Sequence, residues 1–251
     1  MQNFRNGWLL AVTLILVGAA FFYGRPRASP ENIRSYLDLS YSYLQVVRET
    51  ADSSYYVKID DLADAAEALD PKNAEVSALR ASTALGRHHF KEAHIFAKEA
   101  VALDPNRALF RGLLGDSEIE LGHYDAAVAS FQKMIDIRPD FSSYSRTAYL
   151  RELYGDVPGA QAALRSAISA GSKYPENVAW AYVELAKLDM RTSLNAAKKD
   201  LRDSLATQAE YPPALELLGK VAFFEGDMDT AEEYFQKAYK KLPIAQYALD
   251  L

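Results

Sequence analysis

At 251 residues the chain can bury a substantial core, and its 49% hydrophobic, 25% charged composition is that of an ordinary globular protein rather than a disordered or fibrous one. A net charge of -6, with no local gathering of Lys and Arg, argues against a phosphate-binding surface and so against nucleic acid as a partner. With no cysteine, disulfides, thiolate nucleophiles, Cys-ligated zinc and an acylated N-terminal Cys are all excluded.

The first element is a membrane segment within residues 1–24. Trp8 to Gly24 carries no charge over 17 positions, and nine of them are Leu, Ile, Val or Phe. On the insertion scale these contribute roughly -3 to -5 kcal/mol towards entering a bilayer. As a helix the run spans only about 25 Å, at the short end for a spanning segment and within the range of a signal-peptide core. Gly18, Ala19 and Ala20 offer a weak cleavage site, whereas Phe21, Phe22 and Tyr23 prolong the run as an anchor would. An uncleaved single-pass anchor is the favoured expectation, with a cleaved, soluble exported protein as the alternative. Arg5 stands before the run, and Arg25 and Arg27 after it, so charge asymmetry barely orients it. A short cytoplasmic tail would place the body outside the cytoplasm. Residues 25–33, with Pro26 and Pro30, read as a stiff spacer.

From residue 34 onward the chain repeats with a period of 34, marked by Pro71, Pro105 and Pro139, each closing an amphipathic helical stretch. The unit is clearest from Leu114, where Leu114-Gly115, Gly122, Tyr124, Ala127, Phe131 and Pro139 mark two antiparallel helices. Gly115 and Ala127 allow close approach, Phe131 fills the space beside them, Gly122 supplies a left-handed helix end and Pro139 stops the second helix. This unit resembles the tetratricopeptide repeat (TPR) along its full length, although Met134 replaces the usual alanine.

The same pattern recurs as Ala93, Ala97 and Ala100, then Gly155, Ala160, Leu164 and Ala167, then Leu185-Ala186, Ala197 and Leu201, and finally Leu218-Gly219, Gly226, Ala231, Phe235 and Ala238. Units are expected at about 73–107, 108–141, 142–177, 178–211 and 212–245, with a degenerate unit at 38–72 and the start of a further helix after 245. The turn from Gly86 to Phe90 looks two residues longer than Gly122 to Tyr124, and the turn from Arg191 to Asn195 looks one residue short. The fold class is therefore all-α, a TPR solenoid of stacked helix pairs over 34–251, preceded by one transmembrane helix.

The resemblance implies a concave groove lined by the first helix of each pair. Carried onto this chain, the lining is Leu109, Asp116 and Ile119, then Tyr149, Glu152 and Leu153, then Trp180, Val183, Lys187 and Met190, then Glu216, Lys220, Phe223 and Phe224. Such an apolar and aromatic stripe with charges of both signs suits a partner peptide or helix. It lacks the Lys and Asn pattern with which some relatives clamp a terminal carboxylate. His88, His89, His94 and His123 lack the i, i+4 pairing of a helical metal site and read as solvated turn residues. Gly171-Ser172-Lys173 lacks the upstream glycine of a phosphate loop, and the carboxylates alternate with Lys and Arg as on solvated faces. The tyrosines at 36, 41, 43, 55 and 56 are explained by helix packing or by a headgroup layer next to the spacer. No catalytic residue, cofactor, metal or small-molecule substrate is expected. The expected function is a membrane-tethered scaffold for protein partners, with a repeat segment of a larger enzyme as the rival.

Overall fold

The computed structural model describes residues 30–250. The expected membrane segment at 8–24 lies outside them; among the described residues no helix is long and apolar enough to cross a membrane. Helix α1 runs from Pro30 to Thr50, so the last residues of the expected 25–33 spacer are helical. A proline is readily accommodated there, because the first turn of a helix has no partner for its missing N–H.

Twelve further helices follow among the described residues. They are α2 (Tyr55–Leu69), α3 (Ala74–Gly86), α4 (Phe90–Leu103), α5 (Ala108–Glu120), α6 (Tyr124–Ile137), α7 (Phe141–Leu153), α8 (Val157–Ala170), α9 (Pro175–Asp189), α10 (Leu194–Thr207), α11 (Pro212–Glu225), α12 (Met228–Lys241) and the short α13 (Ala245–Ala248). Each odd-numbered helix packs most heavily on the even-numbered helix that follows it, and α3, α5 and α11 also pack on the preceding odd-numbered helix. That arrangement is a solenoid in which every pair buries its apolar face against the next.

What sets the approach inside a pair is a missing side chain. A Cβ on Gly115 would come within 2.3 Å of the Phe131 ring, and one on Gly219 within 2.5 Å of the Phe235 ring. The small residues of the second helices, Ala93, Ala127, Ala160, Ala197 and Ala231, are all buried. Asp140 caps α7 by accepting the Ser143 N–H at 3.1 Å, and the Ser143 hydroxyl bonds back to the cap backbone. Asp156 and Asp227 cap α8 and α12 in the same way as acceptors.

The turns correct two sequence expectations. α3 ends at Gly86 and α4 begins at Phe90, while α5 ends at Glu120 and α6 begins at Tyr124, so both turns have the same length. The residue equivalent to Gly122 (φ 77°) is not Gly86 but His88, which adopts φ 61°. In the α9–α10 turn the chain uses four residues, Met190 to Ser193, and none of them is left-handed; the Asp189 carbonyl accepts the N–H groups of Thr192 and Ser193 instead.

Two predictions follow from these local conflicts. A left-handed backbone costs a residue with a Cβ about 1 kcal/mol. His88→Gly is expected to raise the unfolding free energy by about 0.5–1 kcal/mol, less the entropy glycine adds to the unfolded chain; an unchanged or lower denaturation midpoint would show that His88 makes a compensating contact. The second concerns Asp200, buried on α10 beside Asp189, where burial and the neighbouring carboxylate push its pKa up to about 6. A raised folded-state pKa contributes stability that is complete below the unfolded value near 4 and is lost as pH rises through about 6. Asp200→Asn is therefore expected to be more stable than wild type by about 2 kcal/mol at pH 8 and indistinguishable from it near pH 4. Melting curves across that range check this; a pH-independent difference would count against it.

Candidate partner-binding lumen

The odd-numbered helices line the inside of the superhelix, and the curve brings its beginning back to a later turn. On α1, Gln45 is 5% exposed and its amide donates to the Glu176 carboxylate on α9 at 3.4 Å, across 131 residues of sequence. Glu176 is itself 8% exposed, and its other oxygen accepts the Tyr211 hydroxyl at 3.0 Å. Beside it Gln45 also donates to Glu49 at 2.8 Å. α1 and α9 thus meet, and the space they enclose with α3, α5 and α7 is a lumen of about 1250 Å³.

The lining mixes aromatic and aliphatic side chains with charges of both signs. Tyr41 and Val47 come from α1, Leu85 from α3, Leu109 and Leu113 from α5, Tyr149 from α7 and Trp180 from α9. Trp180 also packs against two core clusters, one reaching back to Ala148 on α7 and one forward to Leu217 on α11, so its ring is braced from both sides. Arg146 points across to α5, where its guanidinium holds both Asp116 oxygens at 2.7–3.0 Å. The Tyr41 hydroxyl is buried and meets no hydrogen-bonding group, and burial, reinforced by Glu75, pushes its pKa up to about 12. It remains a neutral hydroxyl among the charged side chains of Arg34, Asp38, Glu75 and Arg107.

Four of the expected groove residues, Leu109, Tyr149, Glu152 and Trp180, line this lumen. Asp116 stands one layer back, tied to Arg146. Ile119 and Val183 are corrections: Ile119 is buried with Ala127 and Phe131, and Val183 is 1% exposed among Ala179, Leu217 and Leu218. On α9 the reason is register. Ala181 and Leu185 face α8, while Ala179, Val183 and Ala186 face α10 and α11, leaving Asn177, Trp180 and Glu184 for the lumen. Lys187 is exposed and pairs with Glu184 at 2.7 Å, and Met190 caps α9 against the core.

Leu153 lies at the exposed end of α7, outside the lining. On α11, Glu216 is buried under its ion pair with Lys220, which also faces Asp250 at 3.7 Å; Phe223 and Phe224 are exposed at the helix end. None of these α11 residues borders the lumen. Missed by the sequence reading were the α1 contributors Arg34, Asp38, Tyr41 and Arg48. Their helical i, i+3 and i+4 spacing is a usable signal, but from the sequence that stretch reads only as a degenerate repeat.

Among the described residues no group of three His, Asp or Glu side chains is placed to hold a metal ion. The His94 and His123 rings sit edge to face at 6.1 Å, and His94 Nδ1 lies 3.1 Å from the Ser117 hydroxyl. Burial, with Lys98 and His123 adding to it, holds the His94 pKa below the usual imidazole range.

Comparisons with known proteins agree with this architecture. Residues 78–140 and 212–240 match family models described as tetratricopeptide repeat. No curated protein matches the chain. Among solved structures, PilW, described as a widely conserved type IV pilus biogenesis factor, superposes with a TM-score of 0.65 at 18% identity, covering 88% of this chain and 98% of its own. PilF of Pseudomonas aeruginosa gives 0.61 at 17% identity, covering 90% and 97%. A chain of the APC/C hetero-tetramer Cut9–Hcn1 gives 0.63 at 21% identity; 78% of the present chain is covered, and it spans 36% of that relative. Together the helix pairing and the two matched segments make this an all-α solenoid that carries tetratricopeptide repeats at 78–140 and 212–240.

Proposed function

We propose that the chain is a protein-binding scaffold that holds a partner segment in the lumen and is tethered to a membrane through residues 8–24, with its repeat body outside the cytoplasm. The observation that carries the reading is the lumen itself, about 1250 Å³ lined by Tyr41, Leu109, Tyr149 and Trp180 with Arg146 and Glu184 among them. Apolar and aromatic walls supply affinity for a peptide or helix, and scattered charges fix its register. Trp180 is the strongest candidate anchor, since buried aromatic residues dominate such interfaces and its ring is already held in place.

Tethering rests on the uncharged 17-residue run and is tested separately. The full chain should resist alkaline carbonate extraction, and removal of residues 1–24 should release it; a mature N-terminus near Phe21 would instead mean cleavage and a soluble exported binder.

Partner capture is tested with a photo-crosslinking amino acid at Tyr149 in the lumen and at Val128 on the outer face of α6. Adducts are expected from position 149 and not from 128, and Trp180→Ala should lower their yield at least five-fold. Ala127→Asp is the folding control: it buries an unpaired charge at the tightest helix crossing and should cost about 3–5 kcal/mol. Equal adducts from both positions would overturn the lumen as the binding site, and a stability loss in Trp180→Ala as large as in Ala127→Asp would assign Trp180 to the core alone.

A further inference from the structure

The α11–α12 turn carries three large apolar side chains within six residues: Phe223, Phe224 and Met228 are 53%, 65% and 54% exposed. The two phenyl rings lie edge to face with centroids 6.0 Å apart. They stand on a fixed platform. Gly226 turns the chain at φ 83°, the Asp227 N–H returns to the Ala222 carbonyl at 3.0 Å, and the Asp227 carboxylate accepts the Thr230 N–H at 3.1 Å. From the side, Lys198 on α10 pairs with Glu225 at 2.6 Å. An aromatic pair on a rigid turn loses little freedom when it is covered, which is the condition under which exposed rings bind well.

The rim is acidic. Glu225, Asp227 and Asp229 alternate with the apolar residues in the run Phe223-Phe224-Glu225-Gly226-Asp227-Met228-Asp229, and Lys198 is already engaged by Glu225. The hydrogen bonds from Thr230 hold the Asp227 carboxyl below the usual carboxylate range, so its charge is retained. An anionic lipid surface would be repelled by this rim, whereas a segment carrying apolar side chains flanked by Lys or Arg would meet both features.

The geometry points to the α11–α12 turn as a second docking surface, separate from the lumen, for a basic amphipathic segment of a partner protein. Phe223 and Phe224 are its apolar anchors, and Asp227 and Asp229 select the positive charge. No residue of this turn borders the lumen, so the two surfaces can be occupied together.

The probe is a synthetic labelled 14-residue peptide with Leu at helical i, i+3, i+4 spacing and Lys elsewhere, titrated against the full chain by fluorescence anisotropy. A counterpart with Glu in place of Lys should bind at least 30-fold more weakly. The Phe223→Ser/Phe224→Ser double variant should weaken the Lys peptide at least ten-fold with an unchanged melting temperature, and Asp229→Lys, which touches no core, should weaken it about five-fold. Trp180→Ala should leave it unchanged. Equal binding of the Glu peptide, or retention of affinity in both turn variants, overturns the proposal. So does concentration-dependent self-association that the double Ser variant abolishes, which would assign the surface to a second copy, or uptake onto anionic vesicles without binding of the Lys peptide.

Discussion

Everything in this fold depends on how closely two antiparallel helices can approach, and that distance is set where a side chain is missing. Gly115 lies against the Phe131 ring and Gly219 against the Phe235 ring, the members of each pair standing sixteen positions apart. At the equivalent place Ala81 and Ala97 meet, both fully buried. Close approach on one side of the hairpin leaves the larger side chains to fill the gap to the next pair, so each pair is wedge-shaped and stacking wedges produces curvature. The lumen is a consequence of that curvature rather than of any single residue. Once the stack has turned far enough, α1 reaches α9 through Gln45 and Glu176, and the inner surface becomes a half-open lumen.

How much of this could be read from the chain follows from which positions are chemically constrained. Gly115, Ala127, Phe131 and Pro139 each perform a task few residues can perform, so their spacing was visible and the repeats could be placed. His88 was hidden because a histidine does the work of a glycine there; the Gly86 two residues earlier drew attention for the wrong reason, its role being to leave room for the Tyr56 ring, whose hydroxyl a Cβ would meet at 2.1 Å. On α9 Trp180 and Glu184 share the lumen face, whereas Val183, one position from Glu184 and so about 100° round the helix, faces α10 and α11 in the core. The α1–α9 contact had no local signature at all, because it joins residues 131 apart through accumulated geometry.

The buried polar groups show a second use of the sequence. Glu118 accepts the Ser130 hydroxyl at 2.7 Å, Glu176 accepts Tyr211, Glu216 faces Lys220, and the Ser204 hydroxyl donates to the Ala179 carbonyl at 2.8 Å. Repeats with nearly identical apolar faces could slide along one another at little cost, whereas a buried carboxylate without its donor loses about 1–3 kcal/mol or more. These pairs therefore penalise wrong stacking more than they reward the right one. Asp200 beside Asp189 is the exception: burial and the neighbouring carboxylate favour its protonated form, so its contribution to stability falls as pH rises rather than fixing a register.

Closure between α1 and α9 also divides the inner face of the solenoid. Ahead of it, α1 to α9 present mixed charges around aromatic walls; behind it, α11 turns Glu216 and Lys220 against Asp250 and α13 and leaves its aromatic residues at the outer end of the helix. A continuous open groove would offer one surface along its whole length, and a ligand would be read by all repeats at once. A lumen that ends at α9 gives the last full pair a surface of its own, acidic where the lumen is balanced, so that two chemically different segments can be held without competing. At that boundary stands the Gln45–Glu176–Tyr211 contact, in which a buried carboxylate accepts from α1 on one oxygen and from the residue capping α11 on the other.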